Sequence, residues 1–396
     1  MKYNLGDILY SVSDKFSSNK DQAIFLNTSD IKEGEILIND YQKIIDLPGQ
    51  AKKSIKNGDI LYSEIRPKNK RYALVNLKNT KDYVVSTKLM VLRNIRKDLV
   101  STKYIFYFLT SNRIINYLQS EAESRSGTFP QITYSKNICN IEIDIPSIKE
   151  QNKIVGILDS LSNKIGLNNE INANLAEQLN STFSNIYSLN YNYNKIQLED
   201  LIINTISGDW GKSDEINDFN RKVKIIRGTD IKNIEMGFYG NPPTRFIKDS
   251  AIKKKVMVPY DVLLEISGGS PTQSTGRSLL ITKELISKFK GFNVLGTNFT
   301  RIFRTNDKNN AILFKSYIQF LYDNDVFFNY ENGTTGIKNL DYKSLLKMKI
   351  NDVRDTKKFK DYVKMYDNYY SFIQKSGIES IKLMKIKNEL LNKLLN

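Results

Sequence analysis

"DIPSIKEQNKIVGILDSL", residues Asp144–Leu161, runs from an alternating apolar stretch through a proline into a helical pattern. Ser147 and Glu150 form a Ser-x-x-Glu capping box directly after Pro146, the signature of a helix start. Apolar residues then recur as Ile154, Leu158, Leu161, Ile165, Leu175, Leu179, Phe183 and Ile186. Steps of mostly three and four make a coiled-coil-like seam. Asn168 and Asn172 interrupt it, as buried asparagines that fix register do. No proline breaks the run, which at ~1.5 Å per residue spans roughly 55 Å. A strand therefore feeds a single very long helix.

What precedes this helix recurs after it. "LGDILYSVSDKF" at Leu5 resembles "LEDLIINTISGDW" at Leu198, and "IFLNTSDIKEGEI" at Ile24 resembles "KIIRGTDIKNIEMG" at Lys224. "KNGDILYSEIRPKNKRYALV", ending at Val75, resembles "VPYDVLLEISGGSPTQSTGRSLLI", ending at Ile281. "VVSTKLMVLRN" resembles "VLGTNFTRIFRTN", and "RSGTFPQITYSKNICNIEIDI" resembles "ENGTTGIKNLDYKSLLKMKI". A collinear repeat of about two hundred residues is too long for a solenoid and reads as a duplicated domain. Within each copy, short alternating runs such as "ALVNL" and "LMVLR" read as strands between Gly, Pro and Asn turns. "YIFYFLTSNRIINYL" at Tyr104 has helical spacing, with a counterpart at Phe314. Each copy is thus a mixed α+β domain.

The C-terminal stretch copies the long helix imperfectly. Phe359, Val363, Tyr366, Tyr370 and Ile373 begin a seam, and Ile381, Met384, Leu391 and Leu395 continue it. Gly377 lies between and is expected to bend or weaken the helix. Two matching seams, each after a duplicated domain, predict a helical pair. The expected segments are 1–146 and 191–353 as domains, with 147–190 and 354–396 as long helices.

Composition narrows the chemistry. Histidine is absent from the 396 residues, which removes Ser-His-Asp triads, imidazole metal sites and histidine bases together. Cys139 is the single cysteine, so neither an intramolecular disulfide nor a thiolate-rich zinc site is available, and the cytoplasm suits it. No apolar run is long enough to cross a bilayer. The formal net charge of +16 calls for a polyanionic partner, nucleic acid before anionic membrane.

Three motifs have sharper readings. "NPPT", Asn241–Thr244, is like the Asn-Pro-Pro-aromatic motif of amino-methyltransferases, but Thr244 replaces the aromatic and no glycine-rich cofactor loop accompanies it. A proline-stiffened loop is the better account. "SGGSPTQSTGR", Ser267–Arg277, lacks the spacing of a nucleotide loop. Its repeat partner "EIRPKNKRY", Glu64–Tyr72, shares a proline and a late arginine but few glycines, as loops that read different bases should. Arg277 is then available for a guanine edge. Asp59 with "EIR" and Asp261 with "EIS" lack the lysine of a nuclease motif and read as structural turns.

The capped helix "IPSIKEQNKIVGILDSLSNKI" with "NNEINANLAEQLNSTF", the "NGDILYSEIRP" turn and strand, and the two-fold repeat resemble the DNA specificity subunits of type I restriction-modification systems. The resemblance covers essentially the whole chain, although "INDVRDTKKFKDYV" departs from the proline and Glu-Gln pattern in the second half. It implies two tandem α+β target recognition domains, each a twisted sheet with helices that reads half of a split site on double-stranded DNA. The long helices would pair as an antiparallel coiled coil that spaces the domains and docks two methyltransferase (modification) subunits. The residues expected in that seam are Ile154, Leu158, Leu161, Ile165, Leu175, Leu179 and Phe183 on one helix, and Tyr366, Tyr370, Ile381, Leu391 and Leu395 on the other.

The residues expected at DNA are Arg66, Lys68, Lys70, Arg71 and Lys88 in the first domain, with Arg125, Gln131 and Tyr134 from the "RSGTFPQITYSK" segment. Those in the second are Ser270, Thr272, Gln273, Thr275 and Arg277, with Asn298 and Lys338. The resemblance places no catalytic residue, metal or cofactor on this chain. S-adenosylmethionine, ATP and magnesium would belong to partner subunits, with or without restriction (helicase-nuclease) subunits, in a bacterial or archaeal cytoplasm. Readings from other classes are a self-contained methyltransferase or nuclease and a basic coiled-coil adaptor.

Overall fold

Strands form where β-branched and aromatic residues alternate, and a few aspartates fix the turns between them. The computed structural model describes residues 1–125, 130–188, 194–270, 273–333 and 337–395. The chain folds into two compact units. One comprises Met1–Lys164 and Leu383–Asn396, the other Ile165–Lys382.

In the first unit an antiparallel sheet runs Leu9–Val12, Leu89–Asn94, Ile60–Ser63, Tyr72–Leu74. In the second, the order is Ile202–Ser207, Thr300–Thr305, Asp261–Glu265, Ser278–Leu280. Each unit adds a second sheet containing one parallel pair. That pair is Gln22–Leu26 with Tyr83–Ser86 in the first, and Phe219–Ile226 with Asn293–Gly296 in the second. Each also closes on itself with a two-stranded ladder, Lys2–Asn4 on Glu142–Asp144 and Lys195–Gln197 on Lys349–Asn351. The duplication read from sequence is therefore a duplication of topology.

The repeated aspartates account for much of it. Fully buried Asp59 accepts the Lys56 amide at 2.8 Å and both arms of Arg93 at 2.7 and 2.8 Å. Asp261 repeats this with the Val258 amide at 2.9 Å and Arg304 at 2.9 Å twice. A buried carboxylate satisfied by a bidentate guanidinium and an amide is a structural anchor. Asp30 and Asp230 likewise accept the amides of Asn27 and Arg227 at 2.8 and 3.0 Å. Asp230 also takes the Asn241 amide at 3.0 Å, so the "NPPT" loop is pinned from below.

The helical pattern at Tyr104 is two helices, Thr102–Leu109 and Asn112–Arg125, whereas its counterpart is the single helix Lys308–Asp323. The opening stretch forms the helix Ile148–Ser188 of 41 residues, and the C-terminal helix is Lys357–Leu394. Ser147 and Glu150 cap the first reciprocally, with the Ser147 amide on the Glu150 carboxylate at 3.2 Å and the Glu150 amide on Ser147 Oγ at 3.3 Å. Gln151 beside them is fully buried. Its amide accepts the Ser101 N–H at 2.9 Å and donates to the Leu99 and Pro146 carbonyls at 3.0 and 2.9 Å. In the second unit Thr356 caps instead, and Arg354 reaches Asn310 at 2.7 Å on the helix Lys308–Asp323. The "INDVRDTKKFKDYV" departure thus keeps the tie between long helix and domain while changing its chemistry.

The two helices pack together antiparallel. In the first unit Leu158, Leu391 and Leu395 are buried in one core with Ile105, Phe108 and Leu118, and Ile154 packs at its edge. In the second, Leu179 and Phe183 share a core with Phe359, Tyr366, Tyr370, Phe303 and Phe314. Leu161, Ile165, Leu175 and Ile381 are half-buried. Asn168 and Asn172 are buried as expected: the first donates to Glu379 at 2.8 Å and Ser380 at 3.2 Å, the second to the Met236 and Ile373 carbonyls at 3.3 and 3.4 Å.

The helix runs uninterrupted through Gly377. Gly377 meets Gly237, backbone against backbone. A Cβ built at 377 would lie 2.4 Å from the Gly237 carbonyl carbon. Among the described residues, no helix is long and apolar enough to cross a membrane.

Candidate nucleic-acid interface

The hydrogen-bond frame at one end of each antiparallel sheet is the same in both units, which gives residue equivalences that sequence alignment leaves loose. The Ser63 amide donates to Arg71 O at 2.9 Å, and the Glu265 amide to Arg277 O at 2.8 Å. The Ile132 amide donates to Glu64 O and the Leu340 amide to Ile266 O, each at 2.9 Å. The Glu64 amide donates to Lys88 O at 3.1 Å, and the Ile266 amide to Phe299 O at 2.9 Å. Arg71 therefore corresponds to Arg277, Ser63 to Glu265, and Lys88 to Phe299. On this shared frame the side chains differ.

In the first unit the turn Pro67–Asn69 is flanked by Arg66 and Lys70, both left-handed at φ +46° and +54°. Such residues cost about 1–3 kcal/mol each and persist only where surroundings hold them. Here the Arg66 amide donates to Pro130 O at 3.2 Å, the Lys68 amide to Gln119 at 3.0 Å, and Lys70 O accepts from Glu33 at 2.8 Å. The side chains of Arg66 and Lys68 are exposed, and Lys70 makes a loose pair with Glu33 at 3.8 Å. Arg71 donates to the Thr28 hydroxyl at 3.1 Å, which leaves its charge uncompensated by any carboxylate among the described residues.

Lys88 is exposed beside Glu64, whose carboxyl is pushed up by burial against the opposing pull of Lys53 and Lys88. Gln131 bridges Ile65. These residues gather around one held loop. Tyr134 does not join them, because its hydroxyl donates to the Leu9 carbonyl. The side chain of Arg125 lies outside the described residues.

In the second unit the loop after Glu265 is closed on itself. The Ser270 amide donates to Gln273 O at 2.7 Å, and Gln273 Nε2 to the Tyr322 hydroxyl at 3.0 Å. Buried Thr275 gives its amide to Glu331 at 2.5 Å, and Lys338 reaches the same carboxylate at 2.8 Å. Burial raises the Glu331 carboxyl, yet Lys338 and the Thr275 amide together hold it below the usual range. Arg277 is clamped by Glu265 at 2.8 and 2.5 Å. The position equivalent to Thr28 is Gly228, where a Cβ would lie 2.0 Å from Glu265 Oε1. The trio Thr28, Ser63, Arg71 is thus exchanged for Gly228, Glu265, Arg277, and the second arginine is neutralised where the first is not. Asn298 is exposed on the turn before Thr300, and Thr272 lies outside the described residues.

Sequence reasoning passed over Trp210, Arg245 and Phe299 at this end of the second unit. The signal was present in the match of "SDKF" to "SGDW", where Phe16 answers to Trp210.

Residues 2–177 match the family described as the type I restriction modification DNA specificity domain. Over 183 residues the chain is 43% identical to the type I restriction enzyme HindI specificity subunit of Haemophilus influenzae, a match covering 46% of this chain and 39% of that protein. The chain thus spans about two fifths of the length of that relative. The type I restriction-modification S subunit from M. genitalium superposes with a TM-score of 0.51 at 15% identity, over 100% of this chain and 96% of that one, a likeness of fold. The first domain and most of its long helix thus match the type I restriction modification DNA specificity domain, and the chain as a whole, with its duplicated α+β domain and two paired long helices, is alike in fold to the S subunit from M. genitalium.

Proposed function

We propose that this chain supplies sequence recognition to a type I restriction-modification complex, each unit reading one half of a bipartite, asymmetric site on double-stranded DNA. The observation that carries the reading is a loop pair, 64–72 and 265–277, mounted on identical backbone hydrogen bonds but built from different side chains. A frame kept and a loop changed is what two readers of unlike sequences require. The positive charge supplies phosphate attraction, and base edges are read by the loops.

The chain is the non-catalytic member. Two methyltransferase subunits dock on the long helices and bring S-adenosylmethionine, and any restriction subunits bring ATP and magnesium chemistry. Such a complex works in a bacterial or archaeal cytoplasm. Repeated rounds of selection from a random duplex pool, using the chain assembled with its methyltransferase subunits, test the reading. Enrichment of two unlike short sequences around a fixed unread spacer is expected, with log affinity falling linearly in log salt. A pool that stays random, or methyl transfer by the chain alone, would overturn it.

A further inference from the structure

Trp210 is the single tryptophan of the chain and 37% exposed. Its loop is built, not loose. The Asp209 amide donates to Gly296 O at 2.8 Å, and Lys255 holds the Asp209 carboxylate at 2.8 Å. A Cβ at Gly208 would lie 1.9 Å from Thr297 O, and one at Gly211 (φ +61°) 2.4 Å from Phe246 O. The loop therefore presses backbone to backbone on two strands, and the indole stands at its tip. Arg245 lies over the indole at 4.2 Å from the ring centre, and its Nη1 donates to Ser213 at 2.5 Å. Arg245 Nε is buried with no partner, a donor whose cost the fold has accepted.

The turn against which this loop is clamped, 296–299, is the one whose Phe299 carbonyl receives the Ile266 and Ser267 amides. Ser267 and Gly268 pair in turn with Asn339 and Lys338. Trp210, Phe299 and the 265–277 loop thus stand along one continuous end of the second unit. Phe299 is 53% exposed and joins none of the hydrophobic clusters of the second unit among the described residues. The duplicate supplies the comparison. Its Phe16 packs inward against the cluster of Ala23, Phe25 and Val84, and Lys88 stands where Phe299 does. A domain of the same topology needs neither exposed aromatic to fold.

We propose that Trp210, backed by Arg245 and flanked by Phe299, is the aromatic contact of the second unit with duplex DNA, whereas the first unit meets its half-site through cations. This rests on the DNA-reading function proposed above. A rigid indole with a guanidinium on one face offers its exposed surface to a sugar or an unstacked base step, and its cation to the adjoining phosphate.

The test uses the unaltered full chain, titrated with a fluorescein-labelled mixed-sequence duplex at low salt. Anisotropy of the label reports binding, and emission of the sole tryptophan reports its environment. The expected result is quenching of Trp210 that tracks the anisotropy, reversed by added salt. Trp210→Ala should weaken binding at least about fivefold, the lower end of what a lost stacking contact costs. Phe299→Ala should do the same while leaving the indole as reporter. Binding with unchanged tryptophan emission would overturn the aromatic contact and leave the DNA-reading function standing. No anisotropy change at all would overturn both.

Discussion

A glycine inside a helix ordinarily costs about 1 kcal/mol relative to alanine, so replacing one is a standard route to higher stability. Gly377 reverses that expectation. A methyl group there would enter the backbone of Gly237, and neither partner is a flexible side chain that can swing away. Gly377→Ala should lower unfolding stability by about 3 kcal/mol, the upper range for overpacking a tight contact. A rise in melting temperature would show that the two backbones do not touch.

Beside this contact Lys288 is buried, donating to the Gly237 carbonyl at 2.7 Å and to the Gln374 side chain. Burial without a carboxylate lowers its pKa to about 8 from 10.5. The folded value lies below the unfolded one, so between about pH 8 and 10.5 the unfolded chain holds more protons and stability rises with pH. Buried tyrosines such as Tyr366 and Tyr370, raised by desolvation, act in the opposite sense once unfolded tyrosine ionises near pH 10. Urea midpoints should therefore climb from pH 8 to about 9.5 in the parent and not in Lys288→Met. Parallel curves would mean the amine is not desolvated.

At the scale of the element, the start of each long helix shows what sequence can and cannot convey. The capping box at Ser147 and Glu150 is a local device, legible because its partners are three residues apart. Gln151 is not local. Its partners Leu99 and Ser101 lie about fifty positions upstream, and no spacing rule announces them. The same holds for Asp59 and Arg93, whose meeting depends on strand order. The strand–helix boundary, the repeat and the seam were readable because each is periodic or collinear. The neutralised Arg277 was not, because Glu265 becomes its partner only where Gly228 leaves room. Gln151→Ala should detach the helix start from the helix at Thr102, stranding the Leu99 and Pro146 carbonyls and the Ser101 amide. A loss of about 2–4 kcal/mol is expected from several buried groups left unpaired. Hydrogen exchange should place the new opening at 99–102 and 147–155; protection unchanged there would refute the tie.

At the scale of the whole molecule, the sequence divides the chain into domain, helix, domain, helix, whereas the folded units cut through both helices. The last turns of the C-terminal helix belong to the core of the first unit, where Leu391 and Leu395 are buried among residues such as Leu5, Ile105 and Phe108. Lys387 lies over the Tyr107 ring at 5.5 Å and is itself desolvated. The first unit is therefore stabilised by residues more than two hundred positions beyond its own repeat. Full burial of a leucine contributes about 1.5–3 kcal/mol, and removing one from a packed core costs about 2–5 kcal/mol. Two such losses approach the whole stability of an ordinary domain. Ending the chain after Lys382 should thus unfold or strongly loosen the first unit, although every residue of its repeat is still present. The second unit, Ile165–Lys382, keeps its whole set of core residues and should stay folded. Limited proteolysis with peptide mapping reads this directly. Cuts should appear throughout 1–164 and spare 195–350, and Leu391→Asp in the full chain should give the same pattern in weaker form. Equal resistance in both halves would mean that the first unit does not need the C-terminal turns. Equal loss in both would mean that the two units unfold as one.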